Sequence, residues 1–512
     1  MSVWNFFLVT FGCKVNQYET QSLREAWQNL GGVECSTPAE ADVVCVNSCA
    51  ITAKGERDAR NAVFRLRREA PDARLILTGC AARLFADYQP RPGAAWAAPD
   101  LLVPQEHKDI LLQGPWGSDV SVPDACGQTP RAALSAFPPV RQEKTFSRPE
   151  AFSLPAPSGE PEQRKALNAD AQMATIMEAA AGTATGSGFP SFSISTFKRA
   201  RPVLKVQDGC AHRCTYCIVP LTRGKPRSRP VEDVVKEARR LLESGHVEIM
   251  ISGINLGQYG RDAQTGDFWN LLRIIDTALA PEFAGQARFR ISSLEPGQLD
   301  ARALDILRGC RMLCPHLHIS LQHGSRKVLK RMGRGHYSPS MLEDAVRELS
   351  DHWPVMGLGA DIIAGFPGET EEDVQELLDL TARLPLGYAH VFPYSRRPGT
   401  AAERFEGQIA HALKLERAAR VRQAVALKQK EFLAAQMALP HMLLAADTSG
   451  SLRNSALPGG KKIKGVNEYY AACFLRPRKA APEGGVAAPS LAGLLPVRPV
   501  ELSDKGLIVE PV

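Results

Sequence analysis

The sequence predicts an α/β protein with three folded parts: an N-terminal parallel-sheet domain, a central incomplete (β/α)6 barrel and a small C-terminal β domain. Strand and helix patterns alternate over residues 1–112 and again from Val203 to about residue 430, whereas the tail beyond has little helical periodicity. Strands that alternate with helices are typical of parallel sheets, because each parallel connection needs a crossover. The fold class therefore follows from the order of the patterns.

The N-terminal domain, residues 1–112, begins with an apolar strand and continues through two further strand–helix units. The predicted strands are Phe6–Thr10, Asp42–Val46 and Leu75–Thr78, and the predicted helices are Tyr18–Leu30 and Thr52–Glu69. The pattern then ends, and residues 113–197 are dominated by Pro, Ala, Gly and Ser. Such a composition buries too little apolar surface to offset the entropy of ordering, so we expect a long, mostly disordered insertion.

The central part, residues 198–430, carries six strand patterns with helical stretches between them. The strands are Val203–Val206, Val247–Ile251, Arg288–Ile291, Leu317–Leu321, Leu358–Ala364 and His390–Tyr394. Six β/α units predict an incomplete barrel, and in such barrels the chemistry is expected at the C-terminal ends of the strands. Residues 431–512 are predicted to form the small β domain.

The composition narrows the function classes. The net charge of +7 permits a polyanionic partner without requiring one. The N-terminus lacks a basic region and a cleavage site, and no apolar run reaches the roughly 18 residues of a membrane span, so neither secretion nor membrane insertion is expected. Twelve cysteines in 512 residues are too sparse for a disulfide scaffold. They indicate metal or redox chemistry in a reducing compartment, which predicts a cytoplasmic protein.

Three cysteines close in sequence, Cys210, Cys214 and Cys217, form a C-x3-C-x2-C pattern after the first barrel strand. A structural zinc site needs four ligands, whereas three thiolates can hold an iron–sulfur cluster with one iron left open. An open iron can bind a reacting molecule, so the spacing favours a catalytic cluster. The alternatives are a zinc site with a distant fourth ligand, or chance clustering.

A second trio, Cys13, Cys49 and Cys80, is dispersed in sequence, but each member follows the end of a predicted strand by a few residues. The carboxyl ends of parallel strands meet at one edge of a sheet, where ligands bind. The sequence therefore predicts three thiols in one crevice, which suits a second cluster with three protein ligands. The alternative is three buried core cysteines, since free cysteine is commonly buried.

Several motifs resemble those of the radical S-adenosylmethionine (SAM) methylthiotransferase family. The opening motif is Phe11-Gly12-Cys13-Lys14-Val15-Asn16-Gln17-Tyr18-Glu19. Further similar motifs occupy residues 206–210, 214–220, 223–228, 292–296, 316–322, 329–332, 361–370 and 394–400. The resemblance covers about residues 1–112 and 199–430, and together these motifs are very specific.

The resemblance implies two 4Fe–4S clusters. Cys210, Cys214 and Cys217 would hold the cluster that binds SAM and, once reduced, cleaves it to a 5′-deoxyadenosyl radical. The other trio, Cys13, Cys49 and Cys80, would hold an auxiliary cluster that carries the sulfur to be inserted, and a second SAM would supply the methyl group. The implied partners are tRNA, an electron donor such as flavodoxin or ferredoxin, and a sulfur donor that the sequence does not identify.

The residues after Cys13 resemble the MtaB branch of the family, which methylthiolates C2 of N6-threonylcarbamoyladenosine at position 37 of tRNA. Two alternatives keep the chemistry and change the substrate, to isopentenyladenosine in tRNA or to a ribosomal protein. Those branches carry Gln-Met-Asn or Pro-Lys-Asn after the cysteine, and this chain carries Lys14-Val15-Asn16. A third alternative is an iron–sulfur RNA-binding sensor without turnover, against which the intact C-x3-C-x2-C pattern and the six strands argue.

Five residues at or after barrel strand ends are candidates for SAM binding, because in the family these strand ends lie close to SAM. They are Gly253, Ser293, Glu295, Gln322 and Gly365. Each also has a simpler interpretation: a strand-to-loop turn at Gly253 and Gly365, or a helix cap at Ser293 and Glu295 and similarly at Gln322.

Basic residues around the cysteine motif are candidates for contacts with RNA phosphates, with a solvated basic face as the alternative. They are Arg223, Lys225 and Arg227. In the tail, Lys462 and Tyr469 combine positive charge with a stacking ring, a pairing that suits nucleic acid. The family has a small RNA-binding β-barrel, the TRAM domain, at this position, and the match here is weak.

Overall fold

We analysed a computed structural model of the chain, which describes residues 4–86, 99–115, 188–262, 266–447, 463–476 and 493–512. Within these ranges the predicted fold class is confirmed. A parallel sheet, a six-stranded parallel barrel and a small closed β-barrel follow one another along the chain. None of the described helices is both long and apolar enough to span a bilayer.

The N-terminal sheet has five parallel strands in the order β2-β1-β3-β4-β5. The strands are β1 Trp4–Thr10, β2 Gly32–Glu34, β3 Val43–Ser48, β4 Arg74–Gly79 and β5 Leu101–Pro104. The helices are α1 Lys14–Asn29, α2 Ala53–Glu69 and α3 Ala82–Ala86, and a 3-10 helix spans Gln105–Gln113. Because β1, β3 and β4 are neighbours, the loops that follow them meet at one edge of the sheet.

Two features of this domain differ from the prediction. The edge strands β2 and β5 have only three and four residues, too few for a periodic pattern to reveal. Helix α1 begins at Lys14, with Cys13 as its N-cap, rather than at Tyr18. The first turn faces another part of the protein and is mostly polar. It therefore lacks the apolar face by which an amphipathic helix is recognised in sequence.

The six predicted barrel strands are all present, in the order β6-β9-β10-β11-β12-β13. They are β6 Val203–Lys205, β9 Glu248–Ser252, β10 Arg288–Ile291, β11 His316–Gln322, β12 Gly357–Ala364 and β13 Leu386–Pro393. All described pairings between them are parallel, and β10 meets β11 through the bridges Phe289–Leu313 and Leu294–Ile319. A short antiparallel pair, β7 Gln207–Asp208 and β8 Arg227–Ser228, brackets the cysteine loop.

Helices cover the outside of the barrel. They are Val219–Arg223, Val231–Glu243, Phe268–Phe283, Ala301–Gly309, Arg326–Arg331, Pro339–Ser350, Glu371–Arg383 and His411–Gln436. Alternate strand residues such as Ile249 and Phe289 join the apolar core with these helices. The other residues of each strand face the lumen, and several are polar, among them Glu248, Arg290 and His318. A parallel barrel is usually filled with branched apolar side chains, so this polar lumen is a distinguishing feature.

The C-terminal β domain closes as a five-stranded barrel in the order β14-β15-β16-β18-β17. Its strands are β14 Met442–Ala446, β15 Ile463–Val466, β16 Ala472–Leu475, β17 Leu495–Ser503 and β18 Gly506–Pro511. The loop after β15 lies against the N-terminal end of the large barrel. Arg288 and Arg290 donate hydrogen bonds to the carbonyl oxygens of Val466, Asn467 and Glu468 at 3.0–3.1 Å. The N-terminal end of the large barrel, called its floor below, is thus covered by the small C-terminal domain.

The end of the predicted insertion is ordered, which corrects part of the expectation for residues 113–197. Phe192 and Ile194 are buried in the main core. The Tyr18 hydroxyl donates to the Phe192 carbonyl oxygen at 2.9 Å, and the Ile194 amide donates to Glu237 at 2.9 Å. Two large apolar side chains are enough to anchor a short segment within a polar, Gly-rich stretch. Residues 116–187 lie outside the described residues.

Candidate active site

The C-x3-C-x2-C loop lies where the sequence placed it, after β6 and β7 at the C-terminal end of the barrel. The Cys210 amide donates to the Gly224 carbonyl at 3.0 Å, and the Cys217 amide donates to the Cys214 carbonyl at 3.0 Å. Gly209 has φ of +72°, and a Cβ there would lie 1.9 Å from the Lys225 carbonyl oxygen. A side chain at this position would therefore displace the cysteine loop.

One pocket contains the three cysteines and two of the predicted SAM-binding residues, Ser293 and Glu295. Its lining includes Cys210, His212, Cys214, Cys217, Ile254, Asn255, Ser293, Glu295, Ser320 and Arg334. These residues come from the ends of four different strands and from one loop. The convergence of thiols, a carboxylate and hydroxyls at the C-terminal ends of parallel strands is typical of an active site.

Glu295 is the most strongly bonded group in the pocket. It accepts hydrogen bonds from His336 Nε2 at 2.9 Å and Asn255 Nδ2 at 3.0 Å, and Arg334 Nη1 and His212 Nδ1 both lie at 3.2 Å. Burial alone would raise the pKa of this carboxyl, but the hydrogen bond from His212 and the charge of Arg334 lower it to about 2. Glu295 is therefore an ionised acceptor at neutral pH. Sequence reasoning missed Arg334 and His336, because no local pattern connects them to Glu295.

The Cys214 thiol is the most acidic of its trio. Burial would raise its pKa, but the hydrogen bond from His212 and the charge of Arg334 outweigh burial and lower it. Burial raises the pKa of the Cys210 and Cys217 thiols. Since the thiolate is the form that binds metal, the surroundings of Cys214 favour the ligating state before any metal arrives.

The remaining predicted SAM-binding residues lie outside the lining of this pocket. A Cβ at Gly253 would lie 2.9 Å from the Gln207 Cβ, so this glycine permits close packing beside the cysteine loop. Gln322 ends β11 with φ of +62°, an uncommon conformation for a residue other than glycine. The Gly365 amide donates to the carboxylate of Glu369 at 2.9 Å. All three occupy C-terminal strand ends.

The second trio is also brought together. Cys13, Cys49 and Cys80 follow β1, β3 and β4. Burial raises the pKa of the Cys49 and Cys80 thiols, and the nearby Cys13 thiol adds to both shifts. Gly12 has φ of +92°, and a Cβ there would lie 2.6 Å from the Cys49 Cβ, which shows how closely the first two loops approach. Cys49 and Cys80 are buried, whereas Cys13 is exposed. The prediction of three thiols in one crevice agrees with this arrangement.

The number and type of ligand side chains indicate which metal group each trio could hold. Among the described residues, the one group of three His, Cys, Asp or Glu ligand atoms that all lie within 4.8 Å of each other is His212, Glu295 and His336. Neither cysteine trio belongs to this group. Three thiolates suit an iron–sulfur cluster with one open iron, whereas a structural zinc site takes four ligands.

Behind the second trio lies a buried ion network, here called the Glu19 network: Glu19, Lys108, Lys205, Asp208 and Arg223. Lys108 Nζ and Lys205 Nζ lie 2.6 and 2.7 Å from the Glu19 carboxylate. Arg223 Nη1 lies 3.0 Å from Glu19 and 2.9 Å from Asp208. Burial would raise the pKa of Glu19, but Arg223, Lys108 and Lys205 together hold it well below its usual range. The network joins the N-terminal sheet to the barrel.

Arg223 links the two cysteine trios. Its Nε donates to Cys80 Sγ at 3.2 Å, and its Nη2 donates to the Asn16 side chain at 2.7 Å. It belongs to the short helix that directly follows Cys217. This corrects the prediction that Arg223 contacts RNA, because the side chain is only 2% exposed and its charge is already paired. Arg223 lies close in sequence to exposed cations, which suggested that it is a surface residue, but the folded chain buries it.

The other residues that were predicted to contact RNA differ in how exposed they are. Lys225 is exposed beside the cysteine loop, and Arg227 is half-buried with Asp208 3.6 Å away. Tyr469 is half-buried and packs against the core of the small barrel, so the expected free stacking ring is not present at this position. Lys462 lies outside the described residues.

Comparison with known proteins agrees with this geometry. Residues 204–381 match the model of the Radical SAM superfamily, and residues 5–88 match the model of uncharacterized protein family UPF0004. The fold and the three-cysteine pocket thus define a radical SAM enzyme.

Three relatives specify the class further. Threonylcarbamoyladenosine tRNA methylthiotransferase MtaB of Aquifex aeolicus is 30% identical over 83% of this chain and 88% of its own. The protein of the same name from Bacillus subtilis is 32% identical over 80% of this chain and 78% of its own. tRNA-2-methylthio-N(6)-dimethylallyladenosine synthase of Agrobacterium fabrum is 29% identical over 83% of both chains. The chain belongs to the radical SAM methylthiotransferase family.

Proposed function

We propose that this enzyme methylthiolates C2 of N6-threonylcarbamoyladenosine at position 37 of tRNA. The observation that carries the proposal is the juxtaposition of two cysteine trios, each at the carboxyl edge of a parallel sheet and linked by Arg223. The names of the Aquifex and Bacillus relatives support the substrate. The reaction needs one site that generates a radical and another that supplies sulfur, and the chain provides two separate thiol sets.

The trio Cys210, Cys214 and Cys217 would hold the SAM-binding 4Fe–4S cluster, and Cys13, Cys49 and Cys80 would hold the auxiliary one. When bound, the first supplies the electron that cleaves SAM and the second supplies sulfur.

Residues of the chain orient SAM and keep its site polar. The Glu295 carboxylate, held ionised by His212, Arg334 and His336, is placed to accept hydrogen bonds from ribose hydroxyls. In the same pocket as Glu295, Ser293 Oγ and Ser320 Oγ lie 2.8 Å apart. Gly253, Gln322 and Gly365 would let the backbone approach the rest of SAM from neighbouring strand ends.

RNA would approach the same end of the barrel. Lys225 is exposed directly after the cysteine loop, and Arg227 lies two residues further on. These side chains would bind phosphates around the anticodon loop, an interaction that weakens with salt.

Methylthiolation of isopentenyladenosine at the same tRNA position is the second candidate, because the Agrobacterium relative carries that name. The two candidates differ in the group attached to N6 and share all of the chemistry. Expression of this chain in a bacterium that lacks its own methylthiotransferases, followed by mass spectrometry of tRNA nucleosides, distinguishes them. We expect 2-methylthio-N6-threonylcarbamoyladenosine to accumulate. Accumulation of the isopentenyl product alone would replace the proposal with the second candidate.

Cysteine variants test the assignment of the two trios. Cys214→Ala should abolish formation of 5′-deoxyadenosine, because the SAM-binding cluster cannot assemble. Cys49→Ala should retain SAM cleavage and lose methylthio transfer, and each variant should lose about half of the iron. Cys35→Ala, outside both trios, is the matched control and should keep its iron. Methylthiolated tRNA from Cys49→Ala would contradict the auxiliary role.

A further inference from the structure

Lys14 occupies a position that the chemistry described above does not use. It directly follows Cys13 and is the first residue of α1. Its side chain leaves the N-terminal domain and enters the open side of the barrel, where Nζ lies 3.2 Å from the Met250 Sδ of β9. Lys14 therefore connects the auxiliary trio with the barrel lumen.

Lys14 is a cation without an ionic partner. Among the described residues, no carboxylate oxygen lies within 4.0 Å of its Nζ, and a thioether is only a weak acceptor. The two arginines whose charges act on Lys14 are both paired, Arg290 with Glu248 and Arg201 with Asp447. The nearby Asp361 lies 3.2 Å from His318 Nε2 and is thus engaged elsewhere. A partly buried ammonium group in this state favours an incoming anion.

The space around Lys14 can accept a polar group. A cavity of about 440 Å³ opens beside it, and Gln17, Arg199, Arg201 and Tyr470 contribute to its lining. Deeper in the lumen, the Tyr388 hydroxyl lies 3.0 Å from His318 Nδ1. An isopentenyl group would bury apolar surface against these polar side chains without hydrogen bonds. A small group with a carboxylate and a hydroxyl would meet the positive charge of Lys14 and could form hydrogen bonds with these polar side chains.

We propose that Lys14 is a specificity-determining residue that binds the carboxylate of the threonylcarbamoyl group on N6 of the target adenine. This proposal rests on the proposed function. One ring atom, N1, separates the reacting C2 from C6, which carries the N6 substituent. A base whose C2 faces the auxiliary trio therefore carries its substituent close to the residue that follows Cys13.

The test compares anticodon-hairpin RNAs that differ only at the N6 substituent. One carries threonylcarbamoyladenosine, one carries its methyl ester, which removes the negative charge, and one carries isopentenyladenosine. Dissociation constants and kcat/KM for methylthio transfer are measured with the reconstituted enzyme. Wild type should prefer the acid over the ester by about 30-fold or more, the usual effect of removing one member of a desolvated charge pair.

Lys14→Met should bind acid and ester equally, whereas Lys14→Arg, which keeps the charge, should retain part of the preference. Lys236→Met, on an exposed face of the Val231–Glu243 helix, is the matched control and should discriminate as wild type does. Iron content and circular dichroism verify that each variant is loaded and folded.

Two outcomes overturn the proposal: equal affinity of wild type for acid and ester, or an acid preference in Lys14→Met that matches wild type. A different outcome, wild type that binds the acid selectively but never methylthiolates it, would reject the proposed function and leave the assignment of Lys14 supported.

Discussion

Replacing Glu19 with Gln removes one charge from the centre of the Glu19 network without changing the size of the side chain. The carboxylate faces three cations, Lys108 at 2.6 Å, Lys205 at 2.7 Å and Arg223 at 3.0 Å. Coulomb's law with an effective dielectric constant of about 20 gives about 6 kcal/mol for each such pair. Desolvation offsets most of this, but removal of one partner leaves the cations uncompensated, so we expect a loss of about 3–5 kcal/mol of stability.

Urea denaturation of the apoprotein, followed by tryptophan fluorescence, to which the buried Trp27 contributes, measures this loss. Asp58→Asn is the control, because it removes an acid from an exposed pair with Lys54 on α2 and should cost less than about 0.5 kcal/mol. The effect should depend on pH. The pKa of Glu19 is held below its usual value of 4.5 in the folded protein, so its contribution is present above pH 4.5 and is lost as pH falls through the lowered value. The reasoning is refuted if Glu19→Gln costs no more than Asp58→Asn at pH 7.

Two further predictions concern the floor of the barrel. Glu248, paired with Arg288 and Arg290, has a pKa that burial would raise and that these charges lower from 4.5 to about 2. Its contribution, about 3 kcal/mol, is present above pH 4.5 and disappears as pH falls to 2, so the acid denaturation curve of Glu248→Gln should be flatter than that of wild type. Tyr470→Ala removes a ring that lies 4.8 Å from the Arg290 guanidinium and should lower stability by about 2 kcal/mol. Thermal unfolding checks it, and an unchanged midpoint would contradict it.

Local patterns were sufficient to place the cysteines. Cys13, Cys49 and Cys80 could be assigned to one crevice because strands that alternate with helices run parallel, so that the loops after their carboxyl ends share one edge. The location of the C-x3-C-x2-C loop could be predicted because the loop directly follows a predicted strand. The fold class was predictable for the same reason, since the order of elements determines it.

Pairings between distant residues were not predictable. Arg223 looks like a surface cation in sequence, and its burial depends on Glu19 and Asp208, which arrive from separate domains. Arg334 and His336 reach Glu295 only because a loop folds across the pocket. Lys14 begins a helix whose polar first turn lacks an apolar face, so its entry into the lumen has no periodic signal. Such contacts are set by tertiary packing, and one sequence by itself carries no record of them.

The floor of the large barrel has a consequence for how the chain can be shortened. The loop 467–470 of the small barrel accepts hydrogen bonds from Arg290 and packs a tilted ring, Tyr470, against His316, so the small barrel covers the floor of the large one. A chain cut after the long helix would leave the guanidinium groups of Arg288 and Arg290 without these carbonyl acceptors. The small barrel is therefore part of the structure that supports the radical SAM site, and we expect its removal to impair SAM cleavage even without RNA.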